Sequence, residues 1–83
     1  MKKIEFYTAR YCGKCRALKR RINDLSEELK AIEIEYIDID ICKDKVKKNK
    51  VDGVPTLILY IGGEEVKRAS GSMYEEDLLN FIA

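Results

Sequence analysis

Four stretches of the chain have the hydrophobic patterns of β-strands. Residues 2–8 are rich in β-branched and aromatic side chains, and residues 33–39 largely alternate between polar and apolar side chains. Residues 56–61 form a continuous apolar run, which predicts a strand covered on both faces. A tight turn at Gly62-Gly63 should lead into a charged edge strand over residues 64–69, because both glycines tolerate positive φ.

The segments around these strands predict three helices. Apolar side chains recur with helical spacing in a first helix over residues 13–30, and its apolar face comprises Leu18, Ile22, Leu25 and Leu29. The lysine-rich segment 43–50 predicts a short helix that is anchored mainly by Val46. Ser72 and Glu75 have the spacing of a capping box, which would open a last helix. Three apolar residues of that helix are expected to face the core: Leu78, Phe81 and Ile82.

The resulting order is β-α-β-α-β-β-α. It predicts an α/β fold with a four-stranded mixed sheet, in which the first and third strands are central and helices cover both faces. The first half is a crossover unit, and such units are right-handed almost without exception. A chain of 83 residues can build only one hydrophobic core, so we expect a single domain over residues 1–83.

Composition removes several classes of function. A net charge of +1 argues against a general preference for nucleic acid or for an anionic membrane. No apolar run reaches the roughly 18–20 residues that span a bilayer, and the N-terminus has no secretory pattern, so a cytoplasmic location is expected. The chain has no histidine and therefore lacks the commonest general base and the commonest metal ligand.

Cys12 and Cys15 form the strongest chemical signal, because they lie between a predicted strand and a predicted helix. A sulfur at a helix N-terminus is favoured as the thiolate, and a residue three positions later can close a disulfide with it. The stretch between Arg10 and Arg21 adds six basic residues and no acidic one. The alternatives are half of a zinc site, for which only Cys42 remains as a further thiol, or a pair of inert buried cysteines.

Two segments together resemble the thioredoxin/glutaredoxin superfamily. They are residues 6–15, which contain Cys12-Gly13-Lys14-Cys15, and the sequence Gly53-Val54-Pro55-Thr56 about forty residues later. The resemblance covers essentially the whole chain and implies the three-layer thioredoxin fold. It further implies an enzyme, a thiol–disulfide oxidoreductase that reduces protein disulfides by dithiol exchange.

The resemblance also assigns roles to individual residues. Cys12 would be the attacking thiolate, Cys15 the more buried resolving thiol, and Pro55 would follow a cis peptide bond. The Val54 backbone could pair with an extended substrate. Supporting roles at the site are expected for Tyr11, Gly13, Lys14 and Gly71.

The expected partners are disulfide-containing proteins and either a reductase or glutathione, acting on a monomer. No metal and no tightly bound cofactor are expected beyond the redox-active Cys12–Cys15 disulfide, with glutathione as a candidate co-substrate. The alternative function is a thioredoxin-like module without catalysis, which binds a partner or bridges an iron–sulfur cluster in a dimer.

The chain also departs from the pattern of its relatives. Lys14 stands where thioredoxins typically have proline, and Phe6 stands where they bury an aspartate that deprotonates the resolving thiol. A water molecule or Glu5 would then have to accept the proton of the resolving thiol. Glutaredoxins lack this aspartate too, and Arg10 could fill their basic position before the first cysteine. However, the turn Gly71-Ser72-Met73 has no adjacent aspartate to hold glutathione. The branch of the superfamily therefore stays open.

Two remaining features have simple structural interpretations. Cys42 is expected to be a small half-buried apolar residue, although a mixed disulfide, a dimer bridge or glutathionylation are alternatives. The lysines of segment 43–50 are interpreted as a solvated helix face rather than a contact for nucleic acid.

Overall fold

A computed structural model describes residues 1–83 and contains the four predicted strands and the three predicted helices, the first helix being divided in two. The elements are β1 (Lys2–Thr8), α1 (Gly13–Asp24), α2 (Ser26–Leu29), β2 (Ile32–Asp38), α3 (Lys43–Lys48), β3 (Thr56–Ile61), β4 (Glu64–Ser70) and α4 (Glu75–Ile82). None of the helices is both long enough and apolar enough to cross a bilayer.

The four strands form one mixed sheet in the order β2-β1-β3-β4. Strand β1 pairs in parallel with β2 and antiparallel with β3, and β3 pairs antiparallel with β4. The β3–β4 turn has φ values of 60° at Gly62 and 87° at Gly63, which only glycine adopts at little cost. The predicted central position of β1 and β3 is confirmed.

The two faces of the sheet are covered by different helices. On one face, α1, α2 and α4 enclose the larger core, to which Ile4, Phe6, Leu57 and Leu59 of the central strands contribute. On the other face, α3 covers a smaller cluster around Tyr7, Ile37 and Ile58. The predicted three-layer arrangement is therefore confirmed, and the cysteine pair lies on the face with the larger core.

The predicted helix over residues 13–30 is interrupted. Leu25 leaves the helical conformation (φ −100°, ψ 24°), so α1 ends at Asp24 and α2 begins at Ser26. Asparagine, aspartate and serine surround Leu25, and these side chains compete with helical backbone bonding. Leu25 and Leu29 are nevertheless buried, so the predicted apolar face is correct although the continuous helix is not.

The predicted capping box of Ser72 and Glu75 is wrong. Helix α4 begins at Glu75, after the N-cap residue Tyr74, and the carboxylate of Asp77 accepts a hydrogen bond from the Tyr74 amide at 2.9 Å. The helix begins later than predicted because Met73 is buried in the core, and Arg21 Nη1 donates to its carbonyl at 3.0 Å.

A polar network lies beneath the sheet on the α3 face. Glu5 is only 4% exposed, and its Oε1 accepts hydrogen bonds from the hydroxyls of Tyr7 at 2.9 Å and Tyr60 at 3.0 Å. Its Oε2 lies 3.2 Å from Lys45 Nζ, and Lys45 also contacts Glu35 at 3.2 Å. Lys45 is therefore an exception to the predicted solvated lysine face, since it neutralises a buried carboxylate.

We expect Tyr60 to make stability depend on pH in the alkaline range. Burial, followed by the hydrogen bond to Glu5, raises the pKa of Tyr60 from 10.0 to about 12. The folded protein then keeps a proton that the unfolded chain loses. This contribution to the free energy of unfolding is present below about pH 10 and disappears as the pH rises to about 12.

Alkaline titration of phenolate absorbance tests this expectation. Tyr60→Phe should remove a step with a midpoint near pH 12 and reduce the loss of unfolding free energy across that range. Tyr11→Phe is the matched control, because Tyr11 is exposed and should leave the high step in place. A high step that survives in Tyr60→Phe would assign it to another tyrosine.

Candidate active site

Cys12 and Cys15 lie at the start of α1 and form a disulfide. Their Cα atoms are 5.2 Å apart, and the Cys15 amide donates a hydrogen bond to Cys12 Sγ at 3.1 Å. Cys12 is the N-cap residue of α1 and is half-buried, whereas Cys15 is 1% exposed within the larger core. The two sulfur atoms therefore differ in accessibility.

The backbone around Cys12 directs the N-terminus of α1 toward its sulfur. The Cys12 amide donates to the carbonyl of Ala9 at 3.1 Å, which closes the turn between β1 and α1. The first turn of α1 contains no acidic residue. Unpaired amides and the positive end of the helix dipole favour an anionic sulfur at this position.

The six basic residues between Arg10 and Arg21 have no carboxylate partner. None of them takes part in a salt bridge, although four other cations of the chain, Lys3, Lys30, Lys45 and Arg68, do. Arg21 is instead bound to the Met73 carbonyl and lies over the Tyr74 ring. The positive charge that the sequence predicts near Cys12 is therefore not cancelled by local ion pairs.

The second predicted segment meets the cysteines from the adjacent strand. The Val54–Pro55 peptide bond is cis, as the resemblance implies, and Pro55 is buried. Val54 packs against the larger core, which contains Cys15 and against which Cys12 also packs, and the amide and carbonyl of Val54 make no backbone hydrogen bond. The Gly71 amide donates to the Pro55 carbonyl at 2.9 Å, and Gly71 has a φ of 88°. Gly71 is thus hydrogen-bonded to the segment that contains the cis peptide bond.

The three remaining predicted residues lie at the surface. Tyr11 is 71% exposed, and Gly13 and Lys14 are exposed at the start of α1. Lys14 makes no hydrogen bond or salt bridge with the rest of the chain. A Cβ on Gly13 would meet only Arg16 Nη2, at 3.8 Å, so this glycine is not required by packing.

Glu5 and Cys15 lie on opposite faces of the sheet. Phe6 is in the same cluster as Cys15, while Glu5 points into the polar network on the opposite face of the sheet. Neighbouring residues of a strand point to opposite faces, so the alternation in β1 already contained this signal. The sequence did not predict which side chains bind Glu5, because they reach it only through the tertiary packing of α3 and β3. These side chains are Asn49, Lys45 and Tyr60.

The geometry also bears on the zinc alternative. No three cysteine, aspartate or glutamate side chains lie close enough together to hold a metal ion. Cys42 is a half-buried free thiol that packs against the cluster on the α3 face, whereas the cysteine pair belongs to the other core. It thus fits the predicted small apolar residue and is separated from the pair by the sheet.

Comparison with known proteins gives a consistent result. The family model described as "Thioredoxin" matches residues 3–83. The chain is 34% identical to a thioredoxin of Chlamydia trachomatis over 96% of this chain and 78% of the relative. It is 37% identical to a thioredoxin of Chlamydia pneumoniae over 95% of this chain and 76% of the relative.

Solved structures agree with the sequence relatives. A mutant thioredoxin from Halobacterium salinarum superimposes with a TM-score of 0.88 at 30% identity, over 98% of this chain and 71% of that one. Fasciola hepatica thioredoxin gives a TM-score of 0.88 at 28% identity, over 98% of this chain and 77% of that one.

Proposed function

This chain belongs to the thioredoxin family of protein disulfide oxidoreductases, and we propose that Cys12 is its attacking thiolate and Cys15 its resolving thiol. The observation that carries this assignment is the difference in burial, since a half-buried sulfur can meet a protein substrate and a sulfur that is 1% exposed cannot. The hydrogen bond from the Cys15 amide to Cys12 Sγ further favours charge on Cys12.

The proposed reaction has two steps. The Cys12 thiolate attacks one sulfur of a substrate disulfide, which forms a mixed disulfide and releases the other substrate sulfur as a thiolate. Cys15 then attacks Cys12 Sγ, which forms the Cys12–Cys15 disulfide and releases the second substrate sulfur. Two electrons thereby pass from the two cysteines to the substrate, and its two released thiolates take up protons from Cys15 or from solvent.

The proton of Cys15 must leave without help from a carboxylate of the core. The cluster around Cys15 is apolar, with Phe6 where relatives bury an aspartate. We propose that this proton passes to solvent or to the departing substrate thiolate. Both acceptors lie on the open side of the mixed disulfide, so the step needs no buried base.

The segment containing Val54 is the proposed docking edge for the substrate chain. An extended substrate segment needs a free backbone donor and acceptor beside the attacked sulfur. Val54 has both groups unpaired, and its side chain packs against the cluster that contains the cysteines. Tyr11 adds an exposed aromatic surface beside Cys12.

The finer proposal is that a thioredoxin reductase, rather than glutathione, restores the dithiol. Similarity to thioredoxins supports this electron source. The first turn of α4 supports it too, since Glu75, Glu76 and Asp77 would repel the carboxylate at the glutamyl end of glutathione.

We further propose that the protein acts as a cytoplasmic monomer. Charged side chains protect its edge strand β4 from pairing with a second copy, and Cys42 is a free thiol, as is usual in a reducing compartment.

A coupled assay of NADPH oxidation tests the electron source. The protein reduces an insulin disulfide while either thioredoxin reductase or glutathione with glutathione reductase supplies electrons, and dithiothreitol sets the maximum rate. The glutathione arm is expected to be at least about tenfold slower than the thioredoxin reductase arm. A glutathione arm that reaches the dithiothreitol rate, or no turnover with thioredoxin reductase, would contradict the proposal.

A further inference from the structure

A groove lies beside the active-site turn, between the end of β1, the start of α1 and the adjacent strand β2. Its volume is about 370 Å³. It adjoins the reactive site directly, because the Cys12 amide is hydrogen-bonded to the Ala9 carbonyl and Ala9 lines the groove. The lining residues are Thr8, Ala9, Arg10, Arg16, Lys19, Tyr36 and Asp38, and we call this the basic groove.

Arg16 holds a guanidinium group close to the cysteine motif. Its Nη1 donates to the Arg10 carbonyl at 3.0 Å, which fixes the orientation of the planar group. Its Nη2 lies 3.8 Å from the position that a Cβ on Gly13 would occupy and makes no hydrogen bond within the chain. A fixed guanidinium with a free edge is suited to binding a carboxylate.

Lys19 places a second cation over the uncharged aromatic ring of Tyr36. Its Nζ lies 4.8 Å from the centre of the Tyr36 ring, and that ring packs against Phe6 at 5.3 Å between centroids. Burial raises the pKa of Tyr36, so its hydroxyl stays neutral near physiological pH. The ammonium group is therefore oriented by a cation–π contact without being neutralised.

The charge of the basic groove is not balanced by its own residues. Arg10, Arg16 and Lys19 provide three positive charges, and none of them forms a salt bridge. Asp38 provides one negative charge, and its Oδ1 already accepts a hydrogen bond from the Asp40 amide at 2.8 Å. Three positive charges and one negative charge leave an excess of two positive charges beside Cys12.

We propose that the basic groove binds carboxylate side chains that flank the substrate disulfide, so that the protein preferentially reduces disulfides in acidic segments. The inference rests on the proposed function of Cys12. It adds a substrate class that the cysteine motif alone does not specify. Complementary charge beside a reactive site raises the rate of productive encounter more than it changes the chemistry.

Three disulfide-closed peptides that differ only in their flanking residues test the proposal. One has aspartate and glutamate flanks, one has serine flanks and one has lysine flanks. The fully reduced protein is mixed with each peptide, and the reaction is quenched with acid and analysed by chromatography. At low ionic strength the acidic peptide should react about tenfold faster than the basic peptide. This ratio should fall toward one in about 1 M salt.

The variant Arg16→Gln/Lys19→Gln is expected to reduce the acidic-to-basic rate ratio by at least about fivefold. Each rate is divided by that of the serine peptide, so a change in the reactivity of Cys12 itself cancels. Lys47→Gln/Lys48→Gln removes the same charge from exposed residues of α3, on the other face of the sheet, and should leave the ratio unchanged.

Several results would overturn the proposal. The proposal would be wrong if the acidic-to-basic rate ratio were the same in the wild type and in the groove variant. It would also be wrong if the α3 variant reduced this ratio as much as the groove variant does, since the overall charge of the protein would then explain the preference. Suppression of the acidic preference by a short oligonucleotide, but not by a cysteine-free acidic peptide, would make the groove a nucleic-acid site instead. Failure of the proposed function itself is distinguishable, because none of the three peptides would then be reduced.

Discussion

Replacing Cys12 with serine is expected to lower the rate of insulin reduction by at least about 10³-fold. A serine hydroxyl stays protonated at neutral pH and is a poor nucleophile toward sulfur, so the first bond to substrate cannot form. The folded structure should persist, because Cys12 is half-buried and the substitution changes a single atom of the side chain. The measurement is the initial rate with dithiothreitol as reductant.

The matching replacement of Cys15 is expected to have a different outcome. Cys15→Ser keeps the attacking thiolate and removes the resolving thiol, so a mixed disulfide between Cys12 and the substrate should accumulate. A mass shift equal to one substrate chain, reversed by dithiothreitol, would identify it. Cys42→Ser is the control, since Cys42 lies on the opposite face of the sheet and should leave turnover intact.

The two variants together decide the assignment of roles. Substantial turnover by Cys12→Ser would show that another thiol performs the attack. Trapping in Cys12→Ser but not in Cys15→Ser would reverse the two roles. Loss of turnover in Cys42→Ser would give the third thiol a part in the reaction that its position does not suggest.

Local sequence patterns predicted most of this fold because each reflects a local physical constraint. The alternation in β2, the apolar run in β3 and the double glycine of the hairpin each fix a conformation within a few residues. The failures came where tertiary contacts decided the outcome. Leu25 leaves the helix while remaining buried, and the burial of Met73 moves the start of α4 to Glu75.

The same distinction between local patterns and tertiary contacts applies to the candidate site. The spacing of Cys12 and Cys15 allowed a disulfide at a helix N-terminus to be predicted beside the zinc and inert-cysteine alternatives, because three residues of helix bring the two sulfurs together. The basic groove could be predicted only in part. The sequence showed the charge of Arg16 and Lys19, but their placement against Tyr36 depends on the parallel pairing of β1 with β2.

Replacement of Glu5 is expected to have the second large effect, which is on stability rather than on catalysis. Glu5→Gln should lower the free energy of unfolding by about 2 kcal/mol. The amide oxygen of glutamine can still accept from Tyr7 and Tyr60, but the charge-assisted contact with Lys45 is lost, and that contact involves a side chain that is only 6% exposed. Urea unfolding of the oxidised protein, followed by circular dichroism, measures the change.

Glu35→Gln is the matched control for this loss. Glu35 contacts Lys45 at 3.2 Å and Lys3 at 2.8 Å, but its side chain is 39% exposed, and each pair in that setting contributes less than about 1 kcal/mol. A comparable loss in both variants would contradict the prediction, because exposed ion pairs would then stabilise the fold as much as the buried Glu5 does.

The same Glu5→Gln variant tests whether the sheet isolates Cys15 from the one buried carboxylate of the core. In a Cys42→Ala background, an aromatic disulfide reagent releases one coloured thiolate when Cys12 attacks and a second when Cys15 resolves the mixed disulfide. The rate of the second release should stay within about twofold of the parent protein, because Glu5 and Phe6 point to opposite faces of β1. A tenfold slower second release in a folded variant would instead make Glu5 the base for Cys15, acting through the sheet. An unchanged rate in a destabilised protein would separate the two questions: Glu5 holds α3 to the sheet, and the resolving thiol loses its proton without Glu5.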